Sequence, residues 1–111
     1  MQSYFMQWLH MAHREVYNVT FSIPNGGYQL SIITAMRLKR EGLKAGTPDL
    51  FIAYPNGDQH GMFIEFKYDK GEPTDAQREM MGRLNDQGYY CTVCYSWREA
   101  SLELDGYLGI T

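Results

Sequence analysis

The chain of 111 residues has the length of one compact domain, and its 44% hydrophobic, 14% aromatic and 21% charged residues exclude a disordered, collagen-like or coiled-coil protein. Its two cysteines are too few for a disulfide framework, and no apolar run approaches the ~18–20 residues of a bilayer span, so we expect one intracellular domain over residues 1–111. The net charge of −3 disfavours nucleic-acid binding by the surface as a whole and leaves only a local cluster of positive charge for that purpose.

The N-terminal part of the chain predicts two helices separated by a strand. Apolar residues at helical spacing over 2–14 predict an amphipathic helix, and alternating β-branched and aromatic residues over 16–23 predict a strand. Turn-forming residues at 24–27 end that strand. Helical spacing returns over 29–41, where Gly42 is a suitable C-terminal cap.

The second predicted helix carries a concentration of positive charge in an otherwise acidic chain. Glu41 is the single acidic residue within this run of positive charges. From charge alone, the run is either a solvated helix face or a docking site for a phosphate backbone. We call these residues the basic cluster: Arg37, Lys39, Arg40 and Lys44.

The next segment predicts a β-hairpin followed by a helix. Short apolar runs at 50–54 and 62–66 flank the turn-rich residues 55–59, which is the pattern of two antiparallel strands. Residues 74–77 read Thr-Asp-Ala-Gln, a capping-box pattern, and they open a helix that Gly88 closes.

The C-terminal residues complete the predicted fold. Residues 89–95 predict a fourth strand and residues 97–108 a last helix. The predicted order is therefore α-β-α-β-β-α-β-α, without a repeat or a linker. An α/β fold with a mixed four-stranded sheet flanked by helices is the simplest architecture for this order.

Two carboxylates and an ammonium are predicted to converge at one end of the hairpin. Glu65 and Lys67 are two residues apart on a strand, so their side chains leave the same face of the sheet. Asp49 begins the preceding strand, and a turn centred within 55–59 places it opposite Phe66. Partly buried charges are costly unless they are paired or bound to a cation, and Mg²⁺ prefers carboxylate, carbonyl and phosphate oxygens. The simpler alternative is an exposed cross-strand ion pair of Glu65 and Lys67.

The spacing of these residues is more specific than the residues themselves. The string Gly-Thr-Pro-Asp at 46–49, followed by Glu65 and Lys67, has the P-D…(D/E)-x-K signature of the restriction-endonuclease-like nucleases. Five strings together resemble the stand-alone virus-type replication-repair nuclease (VRR-NUC) domain, over roughly residues 8 to 108 and in the order of that family. They are I-P-N-G-G at 23–27, R-L-K-x-E-G-L-K-A-G-T-P-D-L at 37–50, F-I-E-F-K at 63–67, G-x-x-x-x-x-Q at 71–77 and L-x-x-Q-G-Y at 84–89.

This resemblance implies a PD-(D/E)XK fold and metal-dependent hydrolysis of DNA, with Mg²⁺ as the cofactor and Mn²⁺ as a substitute. It also implies branched DNA as the substrate, notably the four-way (Holliday) junction, and a homodimer. Carried onto this sequence, Asp49, Glu65 and the backbone carbonyl of Phe66 would hold the metal, while Lys67 would orient or deprotonate the attacking water. Gln77 would join the catalytic set, although a glutamine at this position is equally explained as the capping-box partner.

One departure from the family pattern bears on activity. Family members usually carry a glutamate in the first helix, at a position that falls before Met1 when a nearby glutamine of the family is aligned with Gln2. We expect this glutamate to be missing or to lie upstream, and Glu15 sits at the wrong end of the helix to replace it. A catalytically weak or inactive DNA-binding module is therefore the chief alternative, and a metal-dependent hydrolase of small phosphates is a third.

The first helix is predicted to supply the dimer interface. A C₂ dimer would place one active site on each of two strands of a four-way junction. The helix is apolar on more than one side, and a one-domain core covers only one such face; the alternative is a helix sandwiched within its own subunit. The apolar residues concerned are Met1, Tyr4, Phe5, Met6, Trp8, Leu9, Met11 and Ala12.

Overall fold

The computed structural model describes residues 1–24 and 31–110, and these ranges contain five α-helices and four β-strands. The predicted turn at 24–27, apart from Pro24, and the first residues of the second predicted helix, 29 and 30, lie outside the described residues. None of the helices in the two described ranges is long and apolar enough to cross a membrane. The elements in chain order are α1 (Gln2–Ala12), α2 (Arg14–Tyr17), β1 (Thr20–Ser22), α3 (Ile32–Arg40), β2 (Leu50–Ile52), β3 (Gly61–Phe66), α4 (Asp75–Asp86), β4 (Tyr89–Cys94) and α5 (Trp97–Tyr107).

The four strands form one mixed sheet in the order β1-β2-β3-β4. The pairs β1–β2 and β2–β3 are antiparallel, whereas β3 and β4 are parallel and are joined by α4. A helix is the usual connection between neighbouring parallel strands, because the chain must return along the length of the sheet before it pairs again. The predicted α/β architecture with a mixed four-stranded sheet is confirmed.

The two faces of the sheet have different neighbours. One face packs into the hydrophobic core with α1 and α5, because alternate residues of β2 and β3 point toward it. The opposite face carries Phe51, Phe63 and Glu65, and the first turn of α4 reaches it at Glu65. The buried core residues are Phe5, Leu9, Val16, Leu50, Ile52, Met62, Ile64, Phe66, Cys94, Ala100 and Leu104.

The predicted strand over 16–23 is wrong in its first half. Residues 14–17 form α2, and β1 starts only at Thr20. Val16 and Thr20 are the buried residues of this stretch, and Asn18 midway between them is exposed, which fits a helix turn and not the alternation of a strand. The Thr20 hydroxyl donates a hydrogen bond of 2.8 Å to the carbonyl of Val16 and fixes this turn.

The predicted hairpin is confirmed, but its register differs by one residue from the prediction. The turn is centred as expected, with Asn56 bridged to Gln59. Leu50 nevertheless pairs with Ile64, so the register continued by one residue places Asp49 opposite Glu65 and not opposite Phe66. The strand that leads into the turn holds one extra residue within 53–55, where Pro55 has no N–H to donate to the ladder.

The predicted caps of α3 and α4 are confirmed. The Thr74 side chain accepts a hydrogen bond from Gln77 N, and the Gln77 side chain accepts one from Thr74 N, which is a complete capping box. Gly42 follows the end of α3 with a φ of 109°, a conformation that favours glycine. α4 ends at Asp86, two residues before Gly88.

Candidate active site

The two predicted metal-binding carboxylates lie beside each other on one face of the sheet. Asp49 immediately precedes β2, and Glu65 lies directly across from it on β3 in the observed register. The backbone N–H of Phe66 donates a hydrogen bond of 2.8 Å to Asp49 Oδ2 and so anchors that carboxylate to β3. Opposite residues of antiparallel strands share a face of the sheet, with Cβ atoms about 4.5–5.5 Å apart. The predicted convergence of Asp49 and Glu65 therefore follows from the observed register.

Glu65 is almost completely buried, with only 2% of its surface exposed. Its pKa is raised to about 8, first by burial and then by its contact with Asp49 and the repulsion between the two carboxylates. The positive charge of Lys67 and the hydrogen bond from Gln77 lower the same pKa to a smaller extent. Glu65 is buried and is in contact with the half-buried Asp49, so the raised pKa of Glu65 favours a proton or a cation shared by the two carboxylates.

The side-chain amide of Gln77 makes two hydrogen bonds with different purposes. Its Oε1 accepts from the backbone N–H of Thr74 at 2.8 Å, which is half of the capping box. Its Nε2 donates to Glu65 Oε2 at 2.5 Å. The capping role and the active-site contact are therefore compatible, because an amide has an acceptor at one end and donors at the other. The bond from Thr74 also determines which end faces Glu65.

Lys67 follows β3 directly and stands two residues after Glu65. Its backbone N–H donates to the carbonyl of Cys94 at 3.0 Å, which ties the end of β3 to β4. Among the described residues its ammonium forms no ion pair within 4.0 Å, yet its charge lowers the pKa of Glu65. The alternative of a direct Glu65–Lys67 ion pair is therefore not what the structure contains.

The donor atoms at this position fit a divalent cation. Glu65 Oε1 is buried and accepts no hydrogen bond from the part of the chain that the structure describes. An unsatisfied buried acceptor costs roughly 1–3 kcal/mol or more, and a hard cation shared with Asp49 would remove both this cost and the repulsion. Residues 1–24 and 31–110 hold no cluster of three or more His, Cys, Asp or Glu that could bind a metal. Two carboxylates and a backbone carbonyl, such as that of Phe66, would then be the protein ligands.

Two residues of the loop at 46–49 have surroundings that the sequence alone did not predict. Thr47 Oγ1 is buried and has no hydrogen-bond partner among the described residues. Gly46 has a φ of 82° and lies against the backbone of Ala76 and Gln77 in α4. Both residues lie within the string shared with the nuclease signature, but a string does not say what each residue contacts.

The basic cluster lies on the last turn of α3 and the loop that follows it. All four of its side chains are exposed, and within the described ranges none of them is held in an ion pair. Residues 45–48 connect the cluster to Asp49 along the chain. The cluster is therefore available to solvent or to a polyanion, and its role in DNA binding stays a prediction.

The first helix divides its apolar residues between the core and the surface. Phe5 and Leu9 are fully buried in their own subunit, and α1 packs against α5. Trp8 is partly buried against the same core. Tyr4 and Met11 remain exposed, at 60% and 85% of their surfaces. Tyr4 and Met11 are therefore the large apolar side chains of α1 that are most exposed to a second subunit.

Glu15 lies far from the carboxylate pair along β2. It lines a cleft of about 330 Å³ together with Tyr54 and Asn56, which follow β2, whereas Asp49 precedes the same strand. Glu15 therefore does not complete the site, in agreement with its position in the sequence.

Comparisons with known proteins cover nearly the whole chain. The sequence profile of the VRR-NUC domain matches residues 2–97. Among solved structures, the chain is similar to one titled "VRR_NUC domain protein", with a TM-score of 0.84 and 27% identity, covering 98% of this chain and 85% of that chain. No protein with a curated description matches the chain. The matched region includes the loop at 46–49, Glu65, Lys67 and Gln77.

Proposed function

The chain belongs to the VRR-NUC domain family, and from this premise we propose that it is a metal-dependent endonuclease that hydrolyses phosphodiester bonds in branched DNA. A nuclease-type function follows from membership of the family. The metal dependence, the branched substrate and the preference for the four-way junction go further and form the proposal.

The observation that carries this proposal is the carboxylate pair formed by the buried Glu65 and the half-buried Asp49. Glu65 has one oxygen held by Gln77 and a second, buried oxygen that accepts no hydrogen bond among the described residues, with Asp49 beside it. In the metal-free protein a proton shared with Asp49 satisfies this oxygen, and a cation that takes the place of that proton would bind both carboxylates. A buried oxygen beside a second carboxylate therefore supports the binding of a cation.

Each residue of the site would have a distinct part in the reaction. When bound, Mg²⁺ or Mn²⁺ would neutralise charge that develops on the scissile phosphate. Asp49, Glu65 and the backbone carbonyl of Phe66 would hold the ion. Lys67 would orient the attacking water through its ammonium, because it lies close to the pair and is not engaged in a described ion pair. Gln77 would keep Glu65 in its binding orientation.

The choice of DNA as substrate is supported by the exposed basic cluster. Its side chains stand on the segment that leads into the Asp49 loop, and their exposure leaves them available to a phosphate backbone. For the four-way junction we propose a homodimer with two-fold symmetry, which would deliver two matched cuts. The exposed residues Tyr4 and Met11 of α1 would contribute to its interface.

Cleavage of a labelled four-way junction, with and without Mg²⁺, tests the proposal. We expect cleavage only with the metal, and we expect Asp49→Asn and Glu65→Gln to lower the cleavage rate by more than about 100-fold while junction binding in Ca²⁺ persists. Asp58→Asn, an exposed carboxylate at the turn of the same hairpin, is the matched control and should cleave normally. Normal turnover in either of the first two variants would remove that residue from the mechanism.

A DNA-binding module without turnover is the second candidate. It is favoured by the small number of acidic ligands, since the described residues hold no third carboxylate beside Asp49 and Glu65. This candidate predicts junction binding that is independent of metal and no cleavage under any metal tested. The same assay therefore separates the two functions.

A further inference from the structure

Gly46 lies in direct contact with the first turn of α4. A Cβ atom at this position would be 2.5 Å from the carbonyl carbon of Ala76 and 2.8 Å from Gln77 N, and nearer still to the Ala76 oxygen. These are backbone atoms, which cannot turn aside as the end of a flexible side chain can. Any side chain at position 46 must therefore push apart the loop that carries Asp49 and the turn that carries Gln77.

The same turn is held at a second point by Thr74. Its backbone N–H donates to Gln77 Oε1 at 2.8 Å, and its hydroxyl accepts from Gln77 N at 3.2 Å. The first bond matters for the amide itself, because it leaves only the NH₂ end of Gln77 facing Glu65. Without it, rotation about the last side-chain bond would bring the amide oxygen against the carboxylate.

We propose that Gly46 and the backbone N–H of Thr74 are positioning groups of the active site, which together hold the Gln77 amide against Glu65. Gly46 sets how closely the turn approaches the Asp49 loop, and the Thr74 N–H sets which end of the amide points inward. Neither group is a proposed ligand of the metal; both act through Gln77. The inference rests on the proposed function, because it assigns the purpose of this arrangement to the metal-binding carboxylates.

The test compares two glycines that share a positive φ but have different surroundings. Gly42 and Gly46 both have positive φ, so alanine introduces backbone strain at each, but a Cβ at Gly42 has no atom within 4 Å. In metal-free protein we expect the side-chain NH₂ resonances of Gln77 to be dispersed in the wild type and in Gly42→Ala. In Gly46→Ala they should move to the values of a free glutamine amide. Unchanged Gln77 resonances in a folded Gly46→Ala variant would overturn the proposal.

Metal affinity shows whether Gly46 acts through Gln77. Gly46→Ala should weaken Mn²⁺ binding about tenfold relative to Gly42→Ala. In a Gln77→Ala background, adding Gly46→Ala should change Mn²⁺ affinity by less than about twofold, because the group through which Gly46 acts is already gone. Equal losses in both backgrounds would mean that Gly46 supports the domain generally, and the proposal would fail.

A second pair of variants tests the role of the Thr74 N–H if Gly46→Ala does not fold. Thr74→Ala and Thr74→Pro both lose the capping hydroxyl, but only proline also loses the N–H, and the φ of −70° at Thr74 suits proline. Free-amide Gln77 resonances are expected in Thr74→Pro, with Thr74→Ala remaining closer to the wild type. Identical Gln77 resonances in the two variants would overturn the proposal. A wild-type chain that binds no Mn²⁺ would count against the proposed function, while the resonances of the metal-free protein would still test the positioning groups.

Discussion

Glu65 concentrates several opposing interactions in one buried side chain. Burial and the neighbouring Asp49 favour its neutral form, whereas Lys67 and Gln77 favour its charged form. The first two effects are stronger, so the pKa of Glu65 is raised and the carboxylate pair of the metal-free protein favours keeping one proton. A cation that replaces this proton must release it, and metal binding is therefore coupled to pH.

The stability of the metal-free protein should decrease as the pH rises. The pKa of Glu65 is about 8 in the folded chain, against an ordinary value of 4.5, so the folded state binds more protons than the unfolded state between these pH values. Stability should then fall from about pH 4.5 to about pH 8, by on the order of 3–5 kcal/mol. Urea unfolding at a series of pH values measures this slope. Glu65→Gln should remove most of the decrease, and an equal slope in the variant would show that other groups cause it.

Gln77 should matter to the reaction more than to the fold. Gln77→Ala removes both the capping contact of α4 and the donor to Glu65, and the loss of the cap costs about 1 kcal/mol. A loss of this size leaves the protein folded, whereas the cleavage rate should fall at least about tenfold because Glu65 is no longer held. Thermal melting and single-turnover cleavage measure the two effects. Junction affinity in Ca²⁺ is the internal control, and its loss would point to a role in DNA binding instead.

At the scale of the elements, the hairpin decides whether the site can exist. A shift of one residue moves every side chain of a strand to the other face of the sheet. With Asp49 opposite Phe66, the two carboxylates would have pointed to different faces. The extra residue within 53–55 shifts the register by one position and places Asp49 on the same face as Glu65.

The exposed helix α3 carries the element-level prediction for DNA binding. Neutralising the basic cluster with glutamine should weaken junction binding and reduce the slope of log affinity against log salt by about 0.9 for each phosphate that the protein no longer neutralises. Arg83→Gln, an exposed charge on α4 already paired with Glu79, is the matched control and should leave the slope unchanged. Fluorescence anisotropy between low and moderate salt measures the slope. If the four substitutions do not alter it, the cluster is a solvated helix face.

At the scale of the whole molecule, the two exposed side chains of α1 make the proposed dimer testable. Changing Tyr4 and Met11 together to serine should give monomers that nick a four-way junction without resolving it, because the carboxylate pair lies on the hairpin. Leu102→Ser, at a 71% exposed position on α5, is the matched control. Light scattering at micromolar concentration measures the molar mass of the wild type and of each variant. A wild-type monomer that resolves junctions by paired cuts would exclude the dimer.

The amino-acid sequence by itself determined most of what depends on neighbouring residues. The capping box at Thr74, the cap at Gly42, the hairpin and the order of its flanking elements follow from signals within a few positions of each other. The spacing from Asp49 to Glu65 and Lys67 also identified the candidate site, because paired strands bring such residues together.

Tertiary structure decided the features that depend on distant contacts. Residues 14–17, where Val16 is buried, form α2 and not the start of the predicted strand. The extra residue before the turn sets the register between β2 and β3. The raised pKa of Glu65 and the contact of Gly46 with α4 arise only when the sheet, the loop and the helix are packed together. Local patterns specify which element forms, but burial and the approach of charges exist only in the folded chain.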